Sequence, residues 1–168
     1  MKIIAIDNFI EDSFCNYLVE YHKKNFDYLY SKNNPKVAFK HRDTKVICCE
    51  EQAYVSDNIY FKVLYAKLNY LIKSHFQNSI VNYSQIVEWP EKSKQDEHID
   101  FDYHTYTSIL YLNDDYKGGQ TTVENKKITP KKGKIILFDG NNIKHRVLEV
   151  SSGIRYTNAT WYITPNIK

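Results

Sequence analysis

The sequence predicts an α+β domain in which N-terminal helices pack against a core of two β-sheets, a jelly roll or barrel. Apolar residues recur at helical spacing up to residue 76, and from residue 79 onward the period changes to two. The later runs are short, β-branched and aromatic, and turn residues divide them. A length of 168 residues suits one domain over 1–168, with helical support mainly in 1–77 and the sheet core mainly in 79–168.

In chain order, Ile3 to Ile6 reads as a short strand closed by Asp7-Asn8. Glu11-Asp12-Ser13 then supplies acceptors and negative charge for a helix start. Ile10, Phe14, Leu18 and Tyr21 or His22 continue it for about three turns, to near Lys24. Residues 26–45, with Asn33-Asn34-Pro35 among lysines, show no sustained period and are expected as loop. Between Glu51 and Phe76, the positions Val55, Ile59, Val63, Leu64, Ala66, Tyr70, Leu71 and Phe76 form the broad apolar stripe of a long helix lying on a sheet. Strands are expected at Ser79–Trp89, at Thr105–Asn113 (closed by Asp114-Asp115 and Gly118-Gly119), at Gln120–Glu124 and at Lys134–Asp139. Two last strands surround Ser151-Ser152-Gly153.

The 23 Lys and Arg against 20 Asp and Glu leave +3, too little to form the positive field that phosphate-backbone binding needs, so nucleic acid is disfavoured. Three cysteines, Cys15, Cys48 and Cys49, make neither a disulfide framework nor a CxxC pair, which fits a reducing interior. The N-terminus meets Asp7 before any apolar run of signal-peptide length, and no segment approaches a membrane span. A soluble, cytoplasmic protein with no membrane partner is the expectation.

Chemistry concentrates in His98-Ile99-Asp100-Phe101-Asp102-Tyr103-His104. In an extended segment His98 and Asp100 share a face about 6.5 Å apart, so both can grip one ion. An imidazole and a carboxylate completed by a second histidine is the facial triad of non-haem Fe(II) oxygenases. His22 and His75 fall in predicted helices and His41 in the lysine-rich loop, while His104 on the same strand would lie about 20 Å away. His145 opens a late strand, and the chain after it reads as a hairpin through Ser151–Gly153. In that register His145 opposes Ala159, and Arg155, Thr157, Ala159 and Trp161 share its side. Arg155 then lies about 13 Å from the metal level, within reach of a five-carbon diacid. A buried arginine needs an anion, which a ligand carboxylate supplies.

The ordered set His98-x-Asp100, Thr107–Asn113, Gly118-Gly119, Pro130–Gly133, Phe138, His145, Arg155 and Trp161 resembles the prolyl-4-hydroxylase-type branch of the Fe(II)- and 2-oxoglutarate-dependent dioxygenases. The resemblance implies a double-stranded β-helix with iron on His98, Asp100 and His145. It implies that Arg155 binds the distal carboxylate of 2-oxoglutarate, and that Tyr111, with Ile109, Thr121 and Trp161, lines that pocket. It also implies that Fe(II), 2-oxoglutarate and O2 hydroxylate an unactivated C–H bond with release of succinate and CO2. The substrate it suggests is a prolyl residue of a peptide or protein, with a small molecule as the alternative. A jelly-roll binding module and a metal enzyme without 2-oxoglutarate are the competing readings. Gly118-Gly119-Gln120 and Glu88-Trp89-Pro90 depart from the family's usual residues, Asp100 disfavours a halogenase, and Trp161 disfavours alkylated-base repair. Asp102 and His104 are read as exposed or substrate-side residues.

Overall fold

A computed structural model describes residues 3–165. The elements are β1 (Ile4–Ile6), α1 (Asp12–Ser31), β2 (Ala38–His41), β3 (Thr44–Cys48), a π-helical turn (Glu51–Val55), α2 (Ile59–His75), β4 (Ile80–Trp89), β5 (Gln95–His98) and β6 (Tyr106–Tyr111). They continue with β7 (Lys117–Gly118), β8 (Thr121–Val123), β9 (Lys126–Lys127), β10 (Ile135–Phe138), β11 (His145–Val147), β12 (Val150–Ser152) and β13 (Arg155–Ile163). The larger sheet runs β1-β10-β6-β13-β4-β3-β2 and the smaller β5-β11-β8-β9, with β12-β7 paired beside them. All pairings are antiparallel, and the fold is a double-stranded β-helix with its helices on the outer face of the larger sheet.

Helix α1 outruns its expected end because Phe26 and Leu29 stay in phase with Cys15, Leu18, Val19 and His22, all buried. It stops where Asn33 takes a left-handed φ of 50° ahead of Pro35. The expected loop over 26–45 is therefore more than half wrong, since the end of α1, all of β2 and the first two residues of β3 lie within it. Phe39 pairs with Val46, and β3 goes on to pair with β4. Their apolar residues are too few and too interrupted by lysine to show a period, and the ladder to β4 is a long-range contact that local pattern does not reveal.

The second helix, by contrast, is shorter than expected. Asp57 adopts a φ of 54°, and the Asn58 side chain accepts from the Tyr60 N–H at 3.0 Å, so α2 begins at Ile59. Its buried face is Phe61, Leu64, Tyr65, Leu68, Leu71 and Ile72, whereas Ile59, Val63, Ala66 and Tyr70 are exposed on the opposite side. The helix carries two apolar stripes, and the expected one mixed them.

Hydrophobic side chains from α1, α2 and the outer face of the larger sheet, among them Leu18, Leu64, Leu68, Ile86, Leu110 and Tyr162, form the main core. A second cluster of Val123, Ile136, Phe138 and Ile143 fills the space between the sheets. Polar residues also tie α1 down. His22 Nδ1 lies 3.5 Å from Glu88, Tyr156 donates to Glu88 at 2.9 Å, and Lys45 lies 3.6 Å from the same carboxylate. Burial alone would raise the Glu88 carboxyl, but its contacts with His22, Tyr156 and Lys45 hold it below its ordinary value. A depressed native pKa contributes stability above the ordinary value of 4.5 that is lost as pH falls through the lower native value. Glu88→Gln is thus expected to lower the urea midpoint at neutral pH and to flatten its acid dependence between about pH 5 and about pH 3, read by fluorescence-monitored unfolding.

The hairpin expected after His145 does not form. His145 pairs with His98 and Val123 in the smaller sheet, while Ala159, its expected partner, pairs with Gln85 and Ile109 in the larger. The turn signal itself is real, with Gly153 at a φ of 81°, but there the chain passes from one sheet to the other instead of folding back on itself. Strands already in place supply better ladders on both sides than the two segments offer each other.

Candidate metal centre and co-substrate pocket

The two sheets enclose a cavity of about 490 Å³, lined by residues of both, including His98, Asp100, His145, Ile109, Thr121 and Trp161. His98 ends β5 and His145 opens β11, and because these residues pair across the ladder their rings lie 4.3 Å apart, centroid to centroid. Asp100 follows in the loop leading to β6. Its Oδ1 lies 3.8 Å from His98 Nε2 and 3.6 Å from His145 Nε2, and the three ligand atoms all fall within 4.8 Å of one another.

Backbone carbonyls set the tautomers. His98 Nδ1 lies 2.8 Å from the Asp96 carbonyl and His145 Nδ1 2.9 Å from the Ile143 carbonyl. A carbonyl only accepts, so each Nδ1 donates its proton there and each ring presents its Nε2 edge toward Asp100. Asp100 is clasped from the other sheet. The Thr107 hydroxyl of β6 donates to its Oδ2, and its own N–H donates to the Gly140 carbonyl at 2.9 Å. A Cβ on Gly140 would collide with Thr107 Oγ1 and Asp100 Oδ2, so this position is kept bare by close approach. Burial pushes the Asp100 carboxyl up, but contacts with His145, Thr107 and the Trp161 indole outweigh it and hold the group below the usual carboxylate range. Two imidazole nitrogens and a carboxylate converging from one side are a donor set that fits Fe(II) and leaves coordination positions open. Thr107 and Gly140 had no local sequence signal as supporting residues. Thr107→Val is expected to weaken divalent-metal affinity by about 10–100-fold with little change in fold, measured by Co(II) titration.

Arg155, the first residue of β13, is fully buried. Its Nη2 donates to Thr121 Oγ1 at 3.1 Å, while Nε and Nη1 have no partner. The guanidinium lies 5.0 Å from the Trp89 ring and 5.8 Å from the Tyr111 ring, and no carboxylate of the described residues pairs with it. Thr121 thus joins the cavity to a buried unpaired cation. The hydroxyls of Tyr111 and Tyr116 are also buried beside Arg155 and unpartnered. Such a set of donors fits a carboxylate of a bound ligand.

Trp161 lies at the other end of the cavity, stacked on Tyr83 at 5.7 Å and beside Asp100, which separates it from the Arg155 pocket. His104 is buried, contrary to expectation, with its Nε2 3.0 Å from Asn82 Nδ2 and its ring against Trp161; it stands outside the triad. His41 lines the rim of the cavity, His22 packs under the sheet, and Asp102 is exposed.

Residues 82–163, which include the triad and Arg155, match the family described as the 2OG-Fe(II) oxygenase superfamily. No curated protein matches the sequence. Among solved structures, a viral collagen prolyl hydroxylase from Paramecium Bursaria Chlorella virus-1 is 18% identical with a TM-score of 0.71, over 99% of this chain and 97% of that one. A Pseudomonas putida prolyl-4-hydroxylase is 15% identical with a TM-score of 0.73, over 98% and 93%. A Trichoplax adhaerens prolyl hydroxylase, in complex with a hypoxia inducible factor peptide fragment, is 21% identical with a TM-score of 0.65, over 96% and 83%. The sheet core of this chain, residues 82–163, thus carries the sequence pattern of the 2OG-Fe(II) oxygenase superfamily. The fold of the chain is that of the prolyl-4-hydroxylase-like branch.

Proposed function

We propose that this chain is a cytoplasmic hydroxylase that holds Fe(II) on His98 Nε2, Asp100 and His145 Nε2 and oxidises a prolyl residue of a peptide. The observation that carries the reading is an imidazole-carboxylate-imidazole cluster lining a cavity whose wall residue Thr121 holds a buried guanidinium that lacks an anion. Iron when bound supplies the redox chemistry, in which 2-oxoglutarate, O2 and a C–H bond become succinate, CO2 and a C–OH group. The chain's own part is to bind and orient. Arg155 and Thr121 fix the distal carboxylate of 2-oxoglutarate, with Tyr111 beside them, while Ile109 packs along its stem. The Asp96 and Ile143 carbonyls hold both Nδ1 atoms and so orient the Nε2 atoms toward the metal position, and Thr107 aims the carboxylate.

A peptide substrate is supported by the structural relatives, which are prolyl hydroxylases and one of which holds a peptide, and by the cavity rim. There Phe101 and Tyr103 are exposed and stacked at 5.5 Å with an interplanar angle of 6°, a surface on which an extended proline-rich segment can lie. The three buried thiols suit a reducing compartment. The test is anaerobic loading with Fe(II), then addition of 2-oxoglutarate, O2 and a proline-rich peptide. Succinate is expected to form with one oxygen atom gained per peptide turnover. A folded, iron-loaded protein that leaves 2-oxoglutarate intact would reject the reading.

A further inference from the structure

We propose that Tyr116 is a co-substrate-binding residue, whose hydroxyl joins that of Tyr111 in donating to the distal carboxylate held by Arg155, and which thereby selects a 2-oxo acid ending in a second carboxylate. The inference rests on the function proposed for Arg155. Tyr116 lies in the loop after β6 and has no counterpart among the residues singled out in the sequence.

The loop is pinned over Arg155. Asn113 accepts from the Tyr156 N–H at 2.7 Å and donates to the Ile154 carbonyl at 2.7 Å, so the segment leading to Tyr116 is tied to the residues on either side of Arg155. Gly119, at a φ of 63°, fits between the two side chains. A Cβ there would lie 3.2 Å from Arg155 Cδ and 3.2 Å from Tyr116 Cε2, so the bare backbone lets ring and guanidinium stem pack together. The Tyr116 ring is 9% exposed, and its hydroxyl is buried without a partner. Burial pushes this phenol up to about 12 against the opposing pull of Arg155, so at neutral pH it keeps its proton and serves as a donor.

The donors outnumber the acceptors. Arg155 Nε and Nη1, Tyr111 Oη and Tyr116 Oη meet in one buried place, and a guanidinium accepts nothing. If either phenol accepts from Arg155, its own proton is still unspent. A carboxylate offers about four lone-pair sites on two oxygens, enough for the guanidinium and both phenols. A ring needed only for packing would serve as phenylalanine, since an idle buried hydroxyl destabilises the fold.

Isothermal titration of 2-oxoglutarate into Mn(II)-loaded protein tests the assignment, with Tyr116→Phe as the variant and 2-oxobutyrate, which lacks the distal carboxylate, as the control. Tyr116→Phe is expected to weaken 2-oxoglutarate binding by about tenfold or more, the size of one hydrogen bond to a charged group. It is expected to leave 2-oxobutyrate binding unchanged and the unliganded melting temperature equal to or above that of the parent. Wild-type affinity for 2-oxoglutarate in the variant overturns the assignment, as does an equal loss for both acids or a lowered unliganded melting temperature, which mark a packing role. A parent protein that binds Mn(II) but no 2-oxoglutarate overturns the reading of Arg155 itself, a failure the variant alone would not produce.

Discussion

Arg155→Met is expected to remove 2-oxoglutarate binding while leaving the unliganded protein at least as stable as the parent. The two halves of this expectation have the same cause. The guanidinium is fully buried, uses one donor on Thr121 and meets no carboxylate of the described residues, so in the unliganded protein its desolvation is poorly compensated. Methionine of similar reach fills the space beside Trp89 and Tyr111 without a charge to solvate. Once a dicarboxylate is bound, the same cation becomes its main anchor, and deleting one partner of a buried charge pair costs about 2–5 kcal/mol, or roughly 30-fold to several-thousandfold in affinity. Calorimetric titration of 2-oxoglutarate into the Mn(II)-loaded variant, together with thermal unfolding without ligand, checks both halves. A variant that retains 2-oxoglutarate affinity would return Arg155 to a packing role, and one that melts well below the parent would show that the cation has a partner in the folded chain.

What the sequence made legible follows the range of the interactions. The switch from helical to alternating spacing near residue 79 is local, and the elements it marks are found within a few residues of their expected ends, as with Thr105–Asn113 against Tyr106–Tyr111. The same parity argument correctly placed Ala159 and Trp161 on the cavity side of β13. Partnership between strands was not legible. His145 was assigned to a hairpin with Ala159, yet each belongs to a different sheet, and the histidine reaches the cavity because it pairs with His98. β2 and β3 were invisible because their evidence is the ladder to β4, and the two faces of α2 were confused because both are apolar. Around the site, side chains in the family pattern were found by their order along the chain. Gly140 and Tyr116, and the supporting role of Thr107, were not, because each acts through a contact made only in three dimensions.

Asp100→Asn is expected to lower divalent-metal affinity by more than about 100-fold, a larger loss than that from altering a group that merely supports a ligand. The two histidines come from paired strands of the smaller sheet and would still present their Nε2 atoms together, but two neutral imidazoles offer a divalent ion no charge. Asp100 supplies the only carboxylate in the cluster, and it is also the link to the larger sheet through Thr107. Asparagine keeps the shape, and its amide can turn its oxygen or its nitrogen to Thr107, so the change removes charge with little change in packing. The readout is metal-dependent stabilisation. A ligand at about 100 times its Kd raises stability by about 2.7 kcal/mol, and at the same metal concentration a 100-fold weaker site keeps only about 0.4 kcal/mol of that. In thermal unfolding with and without Mn(II), the parent is therefore expected to gain several degrees and Asp100→Asn almost none, while the two melt together in chelator. If both gained equally, the ion would be binding elsewhere and the triad would be an ordinary polar cluster between the sheets. If the variant melted far below the parent in chelator, Asp100 would instead be a structural clasp between the two sheets.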